Sequence, residues 1–317
     1  MMHAYLCSPH TSSREPRRWI CSILKRYGFE AYDPLEHGRV AVRIDKEACE
    51  RNRGILKIDG VSISMRNLVP RPNLCAYLCG PMTGYPDSSY RDEMKRILEK
   101  HGYTYYDPQY MEQTIRSPSP CVRTRARRII KRDETAIKKS DMLIGYFPVA
   151  SDGSAMELLY TNFANVLTIA VLPETRKNVD LHLLKSDVIL VGFRALDRLF
   201  ADRRWLQRYG GRRIVNLDPR EYDRAIRVIK RNEEMIRKSD LVVGYFPSPS
   251  IGASAELAYA HHIFIPTIAV IPHERKEISP FLFKADKTLW GIEQLENFLR
   301  NRKKIRALID KYAATTA

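Results

Sequence analysis

A long internal repeat constrains the fold of this chain more than any other feature of its sequence. The segment KRDETAIKKSDMLIGYFP, which begins at Lys131, returns 99 residues later as KRNEEMIRKSDLVVGYFP, which begins at Lys230. The match continues without a gap to TIAVLP at Thr168 and TIAVIP at Thr267. Self-similarity at a fixed offset is the signature of a repeated structural unit. The sequence therefore predicts two copies of one module.

A second repeat relates the N-terminus to the middle of the chain. AYLCSP at Ala4 is similar to AYLCGP at Ala76, and YGFEAYDP at Tyr27 is similar to HGYTYYDP at His101. Residues 1–72 are thus predicted to hold the front part of a module, 73–210 a complete module and 211–317 a back part. We predict that the front part completes the C-terminal module, with the middle module inserted between them. The alternative is two and a half modules, one of which has decayed.

Strands and helices are predicted to alternate through the middle module. Short apolar runs indicate strands, and apolar residues at helical spacing indicate the helices between them. This alternation is typical of an α/β fold with a doubly wound, Rossmann- or flavodoxin-like parallel sheet, here in two pseudo-repeated modules. Ligands of such sheets bind beyond the carboxyl ends of the strands. The predicted strands are 75–79, 103–106, 142–147, 166–171 and 188–191, and the predicted helices are 90–100, 129–139 and 155–164.

The charge balance favours anionic partners. Lys and Arg number 53 against 37 Asp and Glu, which gives a formal net charge of +16. Such a balance suits nucleotides, nucleic acid or acidic surfaces, and charge alone does not choose among them. No apolar run reaches the ~20 residues of a membrane span, and the first residues lack a secretory signal pattern. We expect a cytoplasmic protein without a membrane partner.

Two loops at predicted strand ends are candidates for a binding site. GPMTG, from Gly80 to Gly84, is neither a P-loop nor a dinucleotide-binding motif, but its glycines allow a backbone to approach a ligand. SDGSAME, from Ser151 to Glu157, joins a strand to a helix, and backbone N–H groups at a helix start can hold an anion. The alternative for the first loop is a turn that has no role in binding.

Carboxylates near the second loop indicate glycosidic chemistry. Glu157 falls in the first turn of a predicted helix, and Glu256 recurs in the equivalent loop. Asp133 lies near the start of the preceding helix, where the other module has Asn232. Two carboxylates at one crevice can serve as nucleophile and proton-handling group in cleavage of a glycosidic bond. The alternative for Glu157 is a carboxylate that only complements the helix dipole.

The order and spacing of these motifs resemble those of the nucleoside 2-deoxyribosyltransferase superfamily. That superfamily includes deoxyribosyltransferases and nucleoside 5′-monophosphate N-glycosidases. The resemblance rests on YLCGPM from Tyr77, RD-x3-IKKSD-x3-G from Arg132 and G-x3-EL-x-Y from Gly153. It covers the middle module almost fully and the C-terminal module over its back half. It implies a glutamate nucleophile, which maps to Glu157 and to Glu256.

The resemblance also implies roles for other residues. It implies that Asp133 contacts the sugar and assists proton transfer, whereas Asn232 departs from the pattern. It implies a tyrosine on the first strand, which maps to Tyr77 and more loosely to Tyr5. Family members form dimers in which one subunit completes its neighbour's site. The repeat is therefore expected to act as an intramolecular pseudo-dimer, and a further homo-oligomer is compatible with this.

The loop serines indicate a phosphate. Two residues before the loop glycine, monophosphate hydrolases of the superfamily resemble one another in carrying serine, whereas deoxyribosyltransferases carry aspartate. This chain has serine there in both modules, although an adjacent aspartate in the middle module suits a sugar hydroxyl instead. The predicted substrate-binding set is Gly80, Pro81, Met82, Ser151, Asp152 and Gly153, with Ser250 and Gly252 in the second module.

The sequence thus predicts an enzyme that cleaves or transfers the N-glycosidic bond of a nucleotide or nucleoside through a covalent glutamate intermediate. The resemblance implies that no metal and no organic cofactor is needed. The alternative is a catalytically decayed, basic nucleotide- or RNA-binding protein on the same fold, which the net charge and Asn232 favour. RTRARRIIKR, from Arg123 to Arg132, is interpreted either as a solvated basic helix end or as an arginine-rich gate for phosphates.

Overall fold

The computed structural model describes residues 2–9, 14–34, 42–58, 74–82, 87–111, 120–202 and 214–313. Gly84, the last residue of the predicted GPMTG loop, lies outside these residues. The strands are β1 (Met2–Cys7), β2 (Phe29–Tyr32), β3 (Val42–Arg43), β4 (Ile55–Ile58), β5 (Cys75–Cys79), β6 (Thr104–Tyr106), β7 (Met142–Tyr146), β8 (Leu167–Leu172), β9 (Asn178–Val179), β10 (Val188–Val191), β11 (Ile214–Val215), β12 (Leu241–Tyr245), β13 (Thr267–Ile271) and β14 (Lys287–Trp290).

Ten α-helices lie in the described part of the chain. They are α1 (Arg14–Arg26), α2 (Lys46–Arg51), α3 (Ser89–Lys100), α4 (Pro120–Lys139), α5 (Asp152–Ala164), α6 (Phe193–Ala201), α7 (Pro219–Arg237), α8 (Ile251–His262), α9 (Gly291–Arg300) and α10 (Arg302–Ala313). None of the helices described is long and apolar enough to cross a membrane.

The larger sheet has seven strands in the order β11-β4-β10-β8-β7-β5-β6. Strands β6, β5, β7, β8 and β10 run parallel. Alternate residues of β5 face opposite sides, because successive side chains of a strand point in opposite directions. Ala76 and Leu78 pack in the core that contains α3, whereas Tyr77 and Cys79 pack in the core that contains α5. Helices therefore cover both faces, which confirms the predicted α/β fold with a doubly wound parallel sheet.

The smaller sheet brings the two ends of the chain together. Its five parallel strands are ordered β14-β13-β12-β1-β2, so β1 lies inside the sheet between β12 and β2. Ala4 on β1 lies opposite Leu241 on β12. We call this sheet and the helices α1 and α7–α10 the composite module, and the larger sheet and α2–α6 the middle module. The pairing agrees with the interpretation that the front and back parts form one module, which stays a prediction.

The strand pairings divide the chain differently from the predicted segments at three places, one of which is the antiparallel pairing of β3, from the N-terminal segment, with β9 of the middle segment. Strand β4, from the N-terminal segment, pairs antiparallel with β10 of the larger sheet, and β11, from the C-terminal segment, pairs with β4. All four residues of β4 are buried, and Lys57 Nζ donates to the carbonyls of Leu184 and Ser186, 2.8 Å from each oxygen. Pairing with β4 covers the edge of β10, which would otherwise expose unpaired backbone groups.

The two modules meet through α5 and α8, which have the most extensive helix–helix contact in the described chain. Each module also extends a 3-10 turn across the interface. The turn Pro280–Lys284 of the composite module packs on α4, and the turn Leu181–Lys185 of the middle module packs on α7. The loops that precede α5 and α8 therefore lie close to the opposite module.

Candidate active site

Glu157 lies in a buried polar cluster at the carboxyl end of the larger sheet. The hydroxyl of Tyr77, on β5, donates a hydrogen bond to Glu157 Oε1 across 2.6 Å. Asp133, on α4, is fully buried and accepts a hydrogen bond from Arg132 Nε at 2.8 Å. The structure thus brings together the three residues for which the sequence predicted a catalytic role.

The environment of Glu157 opposes its ionisation. Burial, followed by the nearby charge of Asp133, raises the pKa of Glu157 to about 7, while the hydrogen bond from Tyr77 lowers it. Burial and the same two carboxylates raise the pKa of Tyr77 well above its usual value. Perturbed carboxylates of this kind are frequent at catalytic sites. At neutral pH a large fraction of Glu157 is ionised, and Tyr77 remains a hydrogen-bond donor.

A buried arginine that the sequence motifs did not indicate supports this cluster. Arg91, on α3, lies 2.6 Å from Asp107 Oδ1 and 3.2 Å from the carbonyl oxygen of Gly80. Its charge lowers the pKa of Glu157. The composite module has a matching buried pair, Arg17 and Asp33, at the same sequence separation of 16 residues. This recurrence was the signal that could have identified both pairs.

A pocket lies between Glu157 and the composite module. Gly80, Met82, Ser151 and Gly153 line it from the middle module. Pro81 is not among the described lining residues; its carbonyl accepts a hydrogen bond from Tyr90 at 2.8 Å. From the composite module the pocket is lined by Pro249, Arg275, Ser279, Pro280 and Phe281. Two modules therefore build one pocket around Glu157.

Gly153 allows the loop before α5 to approach the composite module closely. A Cβ added to Gly153 would lie 3.0 Å from the hydroxyl oxygen of Ser279. Ser151 caps α5, since its hydroxyl oxygen accepts hydrogen bonds from the backbone N–H and the hydroxyl of Ser154, at 3.4 and 3.0 Å. The predicted anion-binding loop is thus a capped helix start that faces the pocket.

Asp152 makes contacts that its place in the sequence does not indicate. Its buried carboxylate accepts hydrogen bonds from the backbone N–H of Ser250 at 2.9 Å and from the hydroxyl of Ser254 at 2.6 Å. It also forms an ion pair with Arg275. All three partners belong to the composite module. The carboxylate predicted to contact a sugar is therefore engaged across the interface.

The equivalent site of the composite module has different neighbours. Asn232 Nδ2 donates to Glu256 Oε1 at 2.9 Å, and His182 Nε2 of the middle module lies 3.8 Å from the same oxygen. Tyr5 is buried beside Glu256, and burial followed by the charge of Glu256 raises the pKa of Tyr5 well above its usual value. A Cβ added to Gly252 would lie 3.5 Å from His182 Cδ2.

The arginine-rich segment is helical and longer than expected. Residues 123–132 belong to α4, which begins at Pro120 and not near residue 129. Arg132 contacts Asp133, and Arg123 Nη2 donates to the carbonyl of Asp286 at 2.6 Å. The side chains of both arginines therefore form hydrogen bonds within the protein. Among the residues described, no group of three His, Cys, Asp or Glu side chains could hold a metal ion.

No protein-family model and no curated protein matches the chain. Among solved structures, it is similar to a 2-deoxyribosyltransferase from Bacillus psychrosaccharolyticus, with 17% identity over 39% of this chain and 90% of that one and a TM-score of 0.33. It is also similar to the CMP N-glycosidase BcmB of Clostridium botulinum, with 18% identity, coverage of 39% and 95%, and a TM-score of 0.27. A conserved protein from Enterococcus faecalis V583 has 15% identity, coverage of 50% and 99%, and a TM-score of 0.28.

Proposed function

We propose that this chain cleaves the N-glycosidic bond of a nucleotide or nucleoside, or transfers its sugar to another base, with Glu157 as the nucleophile. The observation that carries this proposal is the buried carboxylate of Glu157, held by Tyr77, near Asp133, and facing a pocket beyond the strand ends. The motif resemblance to deoxyribosyltransferases and N-glycosidases agrees with it.

In the first step, ionised Glu157 attacks the anomeric carbon of the sugar. A bond forms between this carbon and a carboxylate oxygen, and the bond to the base nitrogen breaks. The base leaves with a proton, for which Asp133 is the proposed donor or relay. Tyr77 holds the nucleophile in place through its hydrogen bond to Oε1. The product is a covalent glycosyl-enzyme.

In the second step, water or another base attacks the same carbon. The bond to Glu157 breaks, the carboxylate is regenerated, and the attacking group loses a proton to the neighbouring carboxylate or to solvent. Two displacements at one carbon give net retention of configuration. Hydrolase and transferase differ only in which acceptor reaches the pocket.

We propose a nucleoside 5′-monophosphate as the preferred substrate. The capped start of α5 at Ser151 offers backbone N–H groups to an anion. The net charge of +16 also raises the local concentration of anions. In this proposal Asp152 does not repel the phosphate strongly, because its carboxylate is paired with Arg275.

The deciding experiment measures base release from a panel of ribo- and deoxyribonucleosides and their 5′-monophosphates by liquid chromatography. We expect Glu157→Ala to reduce turnover by roughly 10³-fold or more, because the covalent route is removed. Glu256→Ala is the matched control and should retain most of the activity. Activity that survives Glu157→Ala but not Glu256→Ala would move the reaction to the composite module.

A basic cleft supports the second candidate, nucleic-acid binding. Lys46, Arg53, Arg194 and Arg198 line a cleft between α2 and α6. All four are exposed, and none forms an ion pair with another described residue. Such cations suit a phosphate backbone. Arg194→Glu with Arg198→Glu should weaken binding of a labelled single-stranded RNA in fluorescence anisotropy, with base release unchanged; unaltered RNA binding would contradict this candidate.

A further inference from the structure

A second pocket, of about 420 Å³, opens in the composite module where α1, α9 and the loop after β13 meet. This volume is within the range of about 300 to 1,000 Å³ that is typical of small-molecule sites. Tyr245, which lines the pocket, packs in the core that contains α1 and α9, whereas Phe246 next to it packs in the core that contains α8. The pocket therefore lies on the face of the smaller sheet opposite α8, and it shares no lining residue with the pocket at Glu157.

The charge of this pocket is opposite to that of the chain as a whole. Three glutamates line it, and no lysine or arginine is among its described lining residues. Glu15 lies in the first turn of α1, Glu274 in the loop after β13 and Glu293 in the first turn of α9. All three are exposed, and none forms an ion pair with another described residue. In a protein of net charge +16, such a group of carboxylates is a local site for a cation.

Two aromatic side chains also line the pocket. Trp19, on α1, is 48% exposed, whereas Tyr245 is only 7% exposed. The hydroxyl of Tyr245 makes no hydrogen bond to any residue in the described part of the chain. Burial, followed by the charge of Glu274, raises the pKa of Tyr245. Since buried polar groups are rarely left without a partner, this hydroxyl indicates that a ligand completes the pocket.

The equivalent place in the middle module is filled by aromatic rings. Tyr146, the counterpart of the buried tyrosine, packs between Tyr90 and Phe193, with ring centroids 5.1 and 4.8 Å away. The two repeats align Tyr90 with Pro16 and Phe193 with Ile292. Both replacements are smaller, and both line the pocket. The composite module thus has an open pocket where the middle module has packed side chains.

We propose that this pocket binds a polyamine, a flexible chain of methylene groups that carries several ammonium charges. Carboxylates from three segments of the chain offer partners to more than one ammonium group. Trp19 and Tyr245 add contacts between cations and aromatic faces, and the apolar side chain of Ile292 suits the methylene groups between the charges. A metal ion such as Mg²⁺ would use the carboxylates alone. The proposal does not depend on the reaction at Glu157.

The experiment is a titration of spermidine into the full chain by isothermal calorimetry, without nucleotide and at physiological ionic strength. We expect one spermidine per chain in wild type. Trp19→Ala should weaken binding by about tenfold, because the main cation–π contact is lost. Glu274→Gln with Glu293→Gln should weaken it by about tenfold or more. Glu174→Gln is the matched control and should bind as wild type does, because Glu174 lies beside Gly192 of the middle module as Glu293 lies beside Gly291.

A filled pocket gives a further test. Pro16→Tyr with Ile292→Phe introduces the residues of the middle module, and the folded variant should no longer bind spermidine. Wild type that binds no spermidine would overturn the inference. So would unchanged affinity in both Trp19→Ala and the double glutamate variant, since the amine would then bind elsewhere on the surface. The substituted glutamates and Trp19 are exposed, so these variants carry the test if the filled variant does not fold.

Discussion

Glu157 and Glu256 occupy equivalent places in the two modules, yet their neighbours make them chemically different. Glu157 has a buried aspartate nearby and a tyrosine hydroxyl on its oxygen. Glu256 has the amide of Asn232 on its oxygen and a histidine of the other module beside it. Where the middle module has Asp133, the composite module has Asn232. A neutral hydrogen-bond donor therefore stands in place of a second negative charge. Equivalent carboxylates of the repeat thus lie in different electrostatic environments.

The largest effect is expected from deletion of residues 1–72, which removes β1 and β2 from the composite module and β4 from the middle module. The inner edge of β12 would be exposed, because β1 pairs with it along its length. We expect the shortened chain to aggregate or to lose the unfolding transition of the smaller sheet. Solubility and scanning calorimetry, with the full chain alongside, measure this. A soluble product with both transitions intact would contradict the composite module.

The next effect concerns Asp133. We expect Asp133→Asn to slow base release by about 10² to 10⁴-fold, the usual contribution of general acid–base catalysis. Because the charge of Asp133 raises the pKa of Glu157, the acidic limb of the pH–rate profile should also move to lower pH. Asn232→Asp is the matched change in the composite module and should leave the profile unaltered. An unchanged profile in Asp133→Asn would show that Asp133 does not act on Glu157.

A smaller effect is expected on stability. The pKa of Glu157 is raised to about 7 in the folded protein, because burial penalises the ionised carboxylate. The ionised side chain therefore lowers the free energy of unfolding most above pH 7. Below about pH 4.5 it is protonated in both the folded and unfolded states, and the penalty vanishes. Glu157→Gln should therefore raise the free energy of unfolding by about 3 kcal/mol at pH 8 and by little at pH 4. Urea denaturation at both pH values measures this, and an equal gain at both would contradict it.

The smallest effect concerns the two capping serines. Ser151→Ala should reduce the preference for a 5′-monophosphate over its nucleoside by about tenfold, one charged hydrogen bond. Ser250→Ala removes the equivalent cap from α8 and should weaken the helix similarly, without altering the preference. The ratio of kcat/KM values for the two substrates measures this. Equal kcat/KM values for the nucleoside and its 5′-monophosphate, in both wild type and Ser151→Ala, would favour the transferase side of the function.

The sequence was informative where the chain repeats itself and less so where the two modules meet. The strands and helices of the middle module follow from periodicity, whereas the grouping of Glu157 with Tyr77 and Asp133 was predicted from the resemblance of the motifs to a known superfamily. The contact of Asp152 with Arg275 follows from neither, because the two residues are 123 positions apart and neither module alone indicates it. Strand β4 was also missed as part of the larger sheet. Its four apolar and basic residues give no local sign of an antiparallel partner.

The position of β1 inside the smaller sheet also has a consequence for synthesis of the chain on the ribosome. The backbone N–H of His3 donates a hydrogen bond to the side chain of Asp240, which lies 237 residues later in the chain. The first strand can therefore pair with β12 only after most of the chain has been synthesised. The middle module can form meanwhile, and it would bring the two distant segments within reach of each other. Long-range pairing of this kind is slow to form. We therefore expect newly made chains to depend on chaperones until the last strands have emerged.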